Sequence, residues 1–507
     1  MKLVRRSTVG QYLDRNITEY IQAHIDGIMN EKDLTRRQNY VTQSPQVLQD
    51  LTVETTTWIA EQTAYAIFSY RWLDMGELTF QDILKFKTLS VPGFRMLINN
   101  SASRKLLRGT DILDQANAYS QQTQKNRDDH PKLLEAMKEL CGDMSDVERR
   151  DCQDFVKLVE FFNISSKYGC NYVWFDSGCI DKSSSTELEE SIRSMFNWYR
   201  NSKICIVHLA DTTSFSNLGR DPWFTRGWTL QELLAPKRIK FFRKSWQHIT
   251  LDSIDNDKDS DFKVSLWQII SFITRIPLPT LLDFTPGINH ARDALVWVSN
   301  RKTTRIEDIA YCLIGLLGIP FSIAYGEGNM AFRRLQVEIL QHSHDMGLFA
   351  WIGQPSAYNS TLAEGPQCFS ESSRQSYLQP LSIPKSQTVT NVFDPTSAFT
   401  NYGLRIPLPI YTVHSWEVCH APSFSFTLRA ENLGNVQAQF IVKSPNLEDY
   451  DHLKIAVLVD LVAKNSSASI GILLGCKDGR YKRIPTKKHI ILSRLTEPTA
   501  PEMIFIE

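Results

Sequence analysis

The stretch YVWFDSGCIDKSSSTELEESIRSMFNWYRNSKICIVHL, Tyr172–Leu209, decides the fold. It opens on an apolar run, Tyr172 to Phe175, that ends at Asp176. It closes on a second run, Ile204 to Leu209, that ends near Asp211. Short continuous apolar runs of this kind read as strands buried on both faces. Between them Ser184 with Glu187, or Thr186 with Glu189, has the spacing of a capping box. Behind that box Leu188, Ile192, Met195, Phe196 and Tyr199 form one stripe of helical period.

The pattern continues on both sides. Ala64 to Ser69 (AYAIFS) is an earlier strand candidate, and Thr79 to Phe86 reads as the start of a helix. Phe155, Leu158, Val159 and Phe162 have helical spacing, Trp223 to Leu234 contains a short helix closed by Pro236, and Arg238 to Phe242 is a further strand. Such alternation predicts an α/β domain with a mostly parallel sheet and helices on both faces. Sites in open parallel sheets gather at the carboxyl ends of the strands. Those ends carry Tyr70, Arg71 and Trp72, then Asp176, then Asp211.

Five segments follow from composition and periodicity: a helical lead-in at 1–62, the α/β domain at 63–250 with a polar insertion at 101–150, a helical region at 251–352, a Ser-rich linker at 353–391, and a β-rich domain at 392–507. In the helical region Thr304 and Glu307 have capping-box spacing ahead of Ile309, Leu313, Ile314 and Leu317. A second stripe there is Phe332, Leu335, Ile339 and Leu340. The tail holds strand candidates at Leu404–Ile410, Phe424–Leu428, Ile455–Leu461, Ile470–Leu474 and Ile490–Leu492, with a hairpin signal at Asp478-Gly479.

Composition narrows the function. The chain has 507 residues, 42% hydrophobic and 22% charged, with 56 basic and 56 acidic side chains. That balance gives no electrostatic pull toward nucleic acid or an anionic membrane. The nine cysteines form no CxxC pair, so a disulfide framework or zinc site is not expected, and no metal is assigned. No secretory signal is evident, and the apolar run Ile309 to Tyr325 is broken by Pro320 and shorter than the ~20 residues of a spanning helix. Reduced thiols and a cytoplasmic location without membrane insertion are the expectation. There is no P-loop, HExxH or GxSxG. Gly326-Glu327-Gly328-Asn329-Met330-Ala331 matches GxGxxA but does not follow the first strand of a βαβ unit, and reads as a turn before a helix.

Three ordered blocks, YAIFSYRW (Tyr65–Trp72), Tyr172–Ser202 and WFTRGWTLQELLAP (Trp223–Pro236), together resemble the fungal HET (heterokaryon incompatibility) domain. Arg301–Leu340 looks like the helical region that commonly follows it. The chain departs from the family pattern at Tyr70, where His is usual, and at Ser177-Gly178-Cys179, where a Cys-Cys pair is usual. The HET domain is in turn similar to the TIR (Toll/interleukin receptor) domain. That resemblance implies a TIR-like, flavodoxin-like sheet, and Trp228-Thr229-Leu230-Gln231-Glu232-Leu233 is similar to the TIR helix that bears a catalytic glutamate.

What this implies is a protein of fungal nonself recognition that triggers or regulates programmed cell death, in one of two ways. One is cleavage of NAD as a substrate, by an NAD nucleosidase with Glu232 catalytic and Tyr70, Arg71, Trp72, Asp176 and Trp228 lining the substrate. A carboxylate beside the ribose lowers the energy of an oxocarbenium-like transition state. The other is non-enzymatic self-association, or docking to another cell-death protein. Plainer alternatives stand beside these roles. Glu232 could pair with Arg226 or Arg238, and Arg71 could bind a phosphate or pair with a strand-end carboxylate such as Asp176. Asp176 and Asp181 could cap Ser183–Ser185. Trp174, Trp198, Trp223 and Trp228 could be core, and Arg292, Arg301, Lys302 and Arg305 a solvated face.

Overall fold

The structure is a computed structural model. It describes residues 4–5, 64–72, 77, 86–91, 94–98, 157–158, 160–170, 172–250, 255–259, 263–343, 345–370, 379–380, 397–418, 425–440, 447–462, 469–492 and 501–507. The insertion at 101–150 and nearly all of the lead-in at 1–62 lie outside the described residues. The chain divides into two compact units, one of residues 1–223 with 235–266 and the other of residues 224–234 with 267–507.

The first unit is mixed α/β. Its strands are β1 (Val4–Arg5), β2 (Tyr65–Tyr70), β3 (Phe86–Val91), β4 (Phe94–Ile98), β5 (Tyr172–Trp174), β6 (Ile204–Leu209) and β7 (Ile239–Arg243). The main sheet runs β1-β5-β2-β6-β7, with β5, β2, β6 and β7 mutually parallel and β1 antiparallel on the edge. Every residue of β2 and β6 is buried, as an unbroken apolar run in a two-sided parallel sheet requires. Phe86, expected in the opening turns of a helix that starts at Thr79, begins β3, which pairs with β4 as a separate antiparallel ribbon; residues 79–85 lie outside the described residues. The run FKTLSV has no apolar helical stripe, and its Thr and Val favour extended backbone.

After β5 comes a one-turn helix α1 (Asp176–Cys179) and then α2 (Ser185–Arg200). The Ser184 side chain accepts from Glu187 N, so Ser184 is the helix cap. The Glu187 carboxylate turns outward to the Asp181 amide at 3.0 Å instead of closing the box. Ile192, Met195, Phe196 and Tyr199 are buried along the predicted stripe, each such side chain stabilising by ~1.5–3 kcal/mol. Tyr199 donates from its hydroxyl to the Phe68 carbonyl at 2.9 Å, which fixes α2 against β2.

The second unit joins helices to an antiparallel sheet. Its helices are α3 (Thr229–Leu234), most of α4 (Lys263–Thr274), α5 (Leu278–Leu282), α6 (Ala291–Val298), α7 (Asp308–Leu317) and α8 (Met330–His342). Helix α7 ends on Gly318 in the left-handed region, φ 64°, where glycine carries no Cβ penalty. The eleven-stranded sheet of the tail is antiparallel but for one contact, between Tyr481 and Ile506. Its inner face buries Tyr411, Leu428, Ile455, Leu473 and Ile490. Asp478-Gly479 makes the predicted hairpin, both residues at positive φ of 51° and 77°. Strands at Ile410–Val418, Gly434–Gln439 and Glu502–Ile506 add to those expected.

Two buried polar side chains tie the helical region to the chain that follows it. Gln336 of α8 exchanges hydrogen bonds of 3.0 Å with both the N–H and the carbonyl of Ala363. Arg483 donates to the Phe349 and Trp351 carbonyls at 2.7 and 2.6 Å and lies 3.6 Å from the Trp351 ring centroid. The described cysteines, 170, 179, 205, 312, 368 and 476, are free and buried. Among the described residues no helix is long and apolar enough to cross a membrane.

Candidate functional site

In the first unit the carboxyl ends of β2, β5 and β6 bring four of the predicted site residues into one cluster. Tyr70 is buried and donates from its hydroxyl to Ser177 Oγ at 2.9 Å. Burial, with the Asp176 and Glu77 carboxylates behind it, pushes the phenol well above its ordinary range, so Tyr70 stays neutral. Its ring stacks on Phe68 with centroids 4.4 Å apart and carries Lys157 Nζ 4.2 Å from its own. Lys157 is also ion-paired to the buried Glu77.

Asp176 accepts from Trp72 Nε1 at 2.9 Å, and Lys182 Nζ lies 3.7 Å from the same carboxylate oxygen and 3.5 Å from the Trp72 ring centroid. Asp176 accepts from Trp72, while Asp181 holds the turn before α2, accepting from Ser183 N at 3.0 Å. Arg71 pairs with a strand-end carboxylate, as expected: it meets Asp211 across the ends of β2 and β6 at 3.2 Å. Strand β6 is a direct neighbour of β2, and its chain continues to Asp211.

The order of the parallel strands, second–first–third–fourth in the chain, reverses direction between β2 and β6. Ligands of open α/β sheets sit at such a switch point, and Arg71 with Asp211 straddles it. Side-chain exposures of 26% and 51% leave this ion pair in water, where it contributes only ~0–1 kcal/mol. A polar or anionic ligand could therefore displace Asp211 from Arg71 at little cost. Below the rim His208 is 8% exposed and stacked on Trp246. It stays neutral and out of proton transfer, since burial draws it down to about 3.

Trp228 and Glu232 fall in the second unit. All six residues of α3 are buried, Glu232 at 9% exposed. Residues 225–229 are stitched to 301–303: Lys302 N donates to Thr225 O at 2.7 Å and Gly227 N to Lys302 O at 2.9 Å. A Cβ on Gly227 would lie 2.5 Å from Thr303 Cγ2 and 3.3 Å from Cys312 Sγ, so only glycine permits this approach. Arg301 Nη1 donates to Arg226 O at 2.8 Å and Thr229 Oγ1 at 2.9 Å. The Trp228 side chain hydrogen-bonds Asp308, as does the Tyr325 hydroxyl at 2.7 Å. Burial raises the Asp308 carboxyl against these two donors and Arg305.

The solvated basic face is therefore corrected at Arg301, which is 7% exposed, while Lys302 and Arg305 are exposed as expected. Burial pulls the Arg301 guanidinium down to about 10, opposed by Cys312 and Glu232. It remains charged at neutral pH. No sequence signal ties Arg301 to a threonine 72 positions earlier; Gly227 between two large side chains is the nearest hint of close approach. Of the tryptophans, Trp174 and Trp223 are core, and Trp198 and Trp228 are partly exposed.

The capping box at Thr304 is also corrected. Helix α7 has Glu307 at its N-cap position without a side-chain cap bond. Glu307 Oε1 instead accepts from Gly326 N at 2.9 Å and Gly328 N at 3.1 Å. The glycine turn thus has its backbone donors filled by a carboxylate of its own chain, as its reading as a turn requires. Among the described residues no group of three or more His, Cys, Asp or Glu could hold a metal ion.

Comparison with known proteins places a family match on the second of the three blocks. The family described as "Heterokaryon incompatibility protein (HET)" matches residues 149–217, which span β5, α1, α2 and β6. The vegetative incompatibility protein HET-E-1 of Podospora anserina is 39% identical over 183 residues, 34% of this chain. The chain spans only 13% of that relative's length. No solved structure matches. Within its α/β unit, this chain carries a segment, residues 149–217, that matches the heterokaryon incompatibility (HET) family.

Proposed function

We propose that this chain acts in the cytoplasm in heterokaryon (vegetative) incompatibility, as a nonself-recognition factor whose HET domain triggers or regulates programmed cell death. The observation that carries this is the 39% identity to a vegetative incompatibility protein over 183 residues. In its sharpest form the domain is TIR-like and cleaves NAD. The strand order second–first–third–fourth supports a flavodoxin-like sheet of that kind. Glu232 is the carboxylate that stabilises the oxocarbenium-like ribose, and Trp228, at the start of the same helix, is the aromatic wall. Nicotinamide leaves neutral from a cation, so little acid catalysis is needed. A neutral Tyr70 and a neutral His208 are consistent with that.

A second reading, favoured by one observation, is non-enzymatic: the domain signals by self-association or by docking another death-pathway protein. Glu232 is 9% exposed on a helix whose residues are all buried, which suits a structural carboxylate. Induced expression of wild type and Glu232→Gln in a fungal host, with cellular NAD and viability followed together, separates the two. Under the enzymatic reading wild type depletes NAD before viability falls, and Glu232→Gln does neither. Death at unchanged NAD overturns NAD cleavage and leaves the assembly reading. Survival of cells expressing wild type together with every compatible and incompatible partner strain overturns the incompatibility role itself.

A further inference from the structure

Helix α3 is six residues long. An isolated helix that short is unstable in water, so the position of Glu232 is set by whatever α3 packs on. The backbone ladder between 225–227 and 302 supplies the frame, and Arg301 supplies the side-chain grip on Thr229. Thr229 and Glu232 are three residues apart, one helical turn, and so share a face. The guanidinium that holds Thr229 is thereby brought to the Glu232 side of the helix.

Both groups are more than nine-tenths buried, Arg301 at 7% and Glu232 at 9% exposed. A buried charge without a counter-charge is strongly destabilising, and its usual escape is to neutralise. Arg301 cannot escape in this way at physiological pH, so it holds the carboxylate ionised. Its hydrogen bonds to Arg226 O and Thr229 Oγ1 use Nη1 alone. Nη2 is buried without a hydrogen-bond partner, so the guanidinium carries more charge and donor capacity than a backbone clamp needs. An oxocarbenium-stabilising carboxylate must be ionised and immobile.

We propose that Arg301, contributed by the helical region that follows the α/β domain, is a positioning residue for Glu232: it fixes the turn that carries the carboxylate and keeps that carboxylate charged. The catalytic meaning of this rests on Glu232 being the reacting carboxylate of NAD cleavage. The electrostatic pairing does not. Residues beyond the three HET blocks then form part of the site, and a chain truncated before Asn300 lacks it.

The test uses the full chain as wild type, Arg301→Met, Arg301→Lys and Arg301→Met/Glu232→Gln. The titration of Glu232 is read from side-chain carboxyl NMR, with Glu232→Gln identifying the signal. In wild type Glu232 is expected to titrate no higher than an ordinary glutamate. In Arg301→Met it rises by about one pH unit or more, and Arg301→Lys restores most of the difference. If wild type cleaves NAD, Arg301→Met lowers kcat by about tenfold or more with little change in KM, and moves the acid limb of the profile upward with the Glu232 titration. A wild-type Glu232 that titrates above the glutamate range, or one that does not move in Arg301→Met, overturns the pairing. The wild-type measurement decides even if Arg301→Met fails to fold. Wild type that leaves NAD intact overturns the NAD reading alone, because the titration still reports on Arg301.

Discussion

Trp246 lies flat on His208, ring centroids 4.1 Å apart and planes 5° from parallel, and it does so with a backbone φ of 58°. A tryptophan in the left-handed region is an outlier that its surroundings must hold in place. Phe68 and Phe242 flank the same ring at 5.9 and 6.2 Å, so the tight turn after β7 is locked by an aromatic stack over the end of β6.

That stack makes His208 a source of acid sensitivity. Burial, assisted by Lys157 and only partly offset by the Lys244 carbonyl, draws its pKa from 6.5 to about 3. The unfolded chain then binds a proton that the folded chain refuses. The contribution of neutral His208 is complete above about pH 6.5 and is lost as the pH falls toward 3, by about 1.4 kcal/mol per pH unit within that window. Urea unfolding of wild type and His208→Phe between pH 7 and pH 4 checks it. The variant retains the stack and shows the shallower acid slope; equal slopes would mean that His208 is not the group responsible.

Gly227 is a packing requirement. Gly227→Ala is expected to destabilise by about 1–3 kcal/mol, the usual cost of an extra methyl in a full site. The closest atom is Thr303 Cγ2 at 2.5 Å. Thr303→Ser removes that atom, so the double variant recovers part of the loss, read as a non-additive denaturation midpoint.

Glu307 anchors the glycine turn at 326–328. Burial opposes its charge, but the amides of residues 307, 326 and 328 outweigh burial and hold the carboxyl below its usual range. Glu307→Ala leaves two backbone donors without that acceptor and is expected to cost about 1–3 kcal/mol. Glu307→Gln keeps an acceptor oxygen and costs less. Hydrogen exchange of the Gly326 and Gly328 amides should rise in Glu307→Ala and stay near wild type at distant sites.

Lys240 and Asp257 form an ion pair of 3.1 Å with neither side chain exposed to solvent, and Asp257 also accepts from Phe241 N at 2.8 Å. Removing one partner takes this counter-charge from a fully buried ion. Lys240→Met is expected to destabilise by about 3–5 kcal/mol, and Lys240→Met/Asp257→Leu by less than Lys240→Met alone despite the lost amide bond. Equilibrium unfolding of the three proteins decides it.

Local chemistry accounts for what is legible in the chain alone. ICIVHL is a strand, the Leu188-to-Tyr199 stripe is a buried helix face, and Asp478-Gly479 is a hairpin, because period and turn preference act over a few residues. The strand ends are identifiable for the same reason, and they place Tyr70, Arg71, Trp72 and Asp176 at one edge of the sheet. Phe86 departs from expectation because a short run of helix-compatible residues does not reveal its partner strand, and pairing is not local.

By itself, then, the amino-acid sequence determined the resemblance to the HET family, the alternation of elements and the edge of the sheet where polar groups collect. Tertiary structure alone decided partners. It paired Arg71 with Asp211 across the ends of the neighbouring strands β2 and β6. It buried Arg301 against a helix 72 positions earlier, and it filled the glycine turn with Glu307. Burial and charge pairing depend on which segments meet in space, and a pattern of near neighbours along the chain does not carry that information.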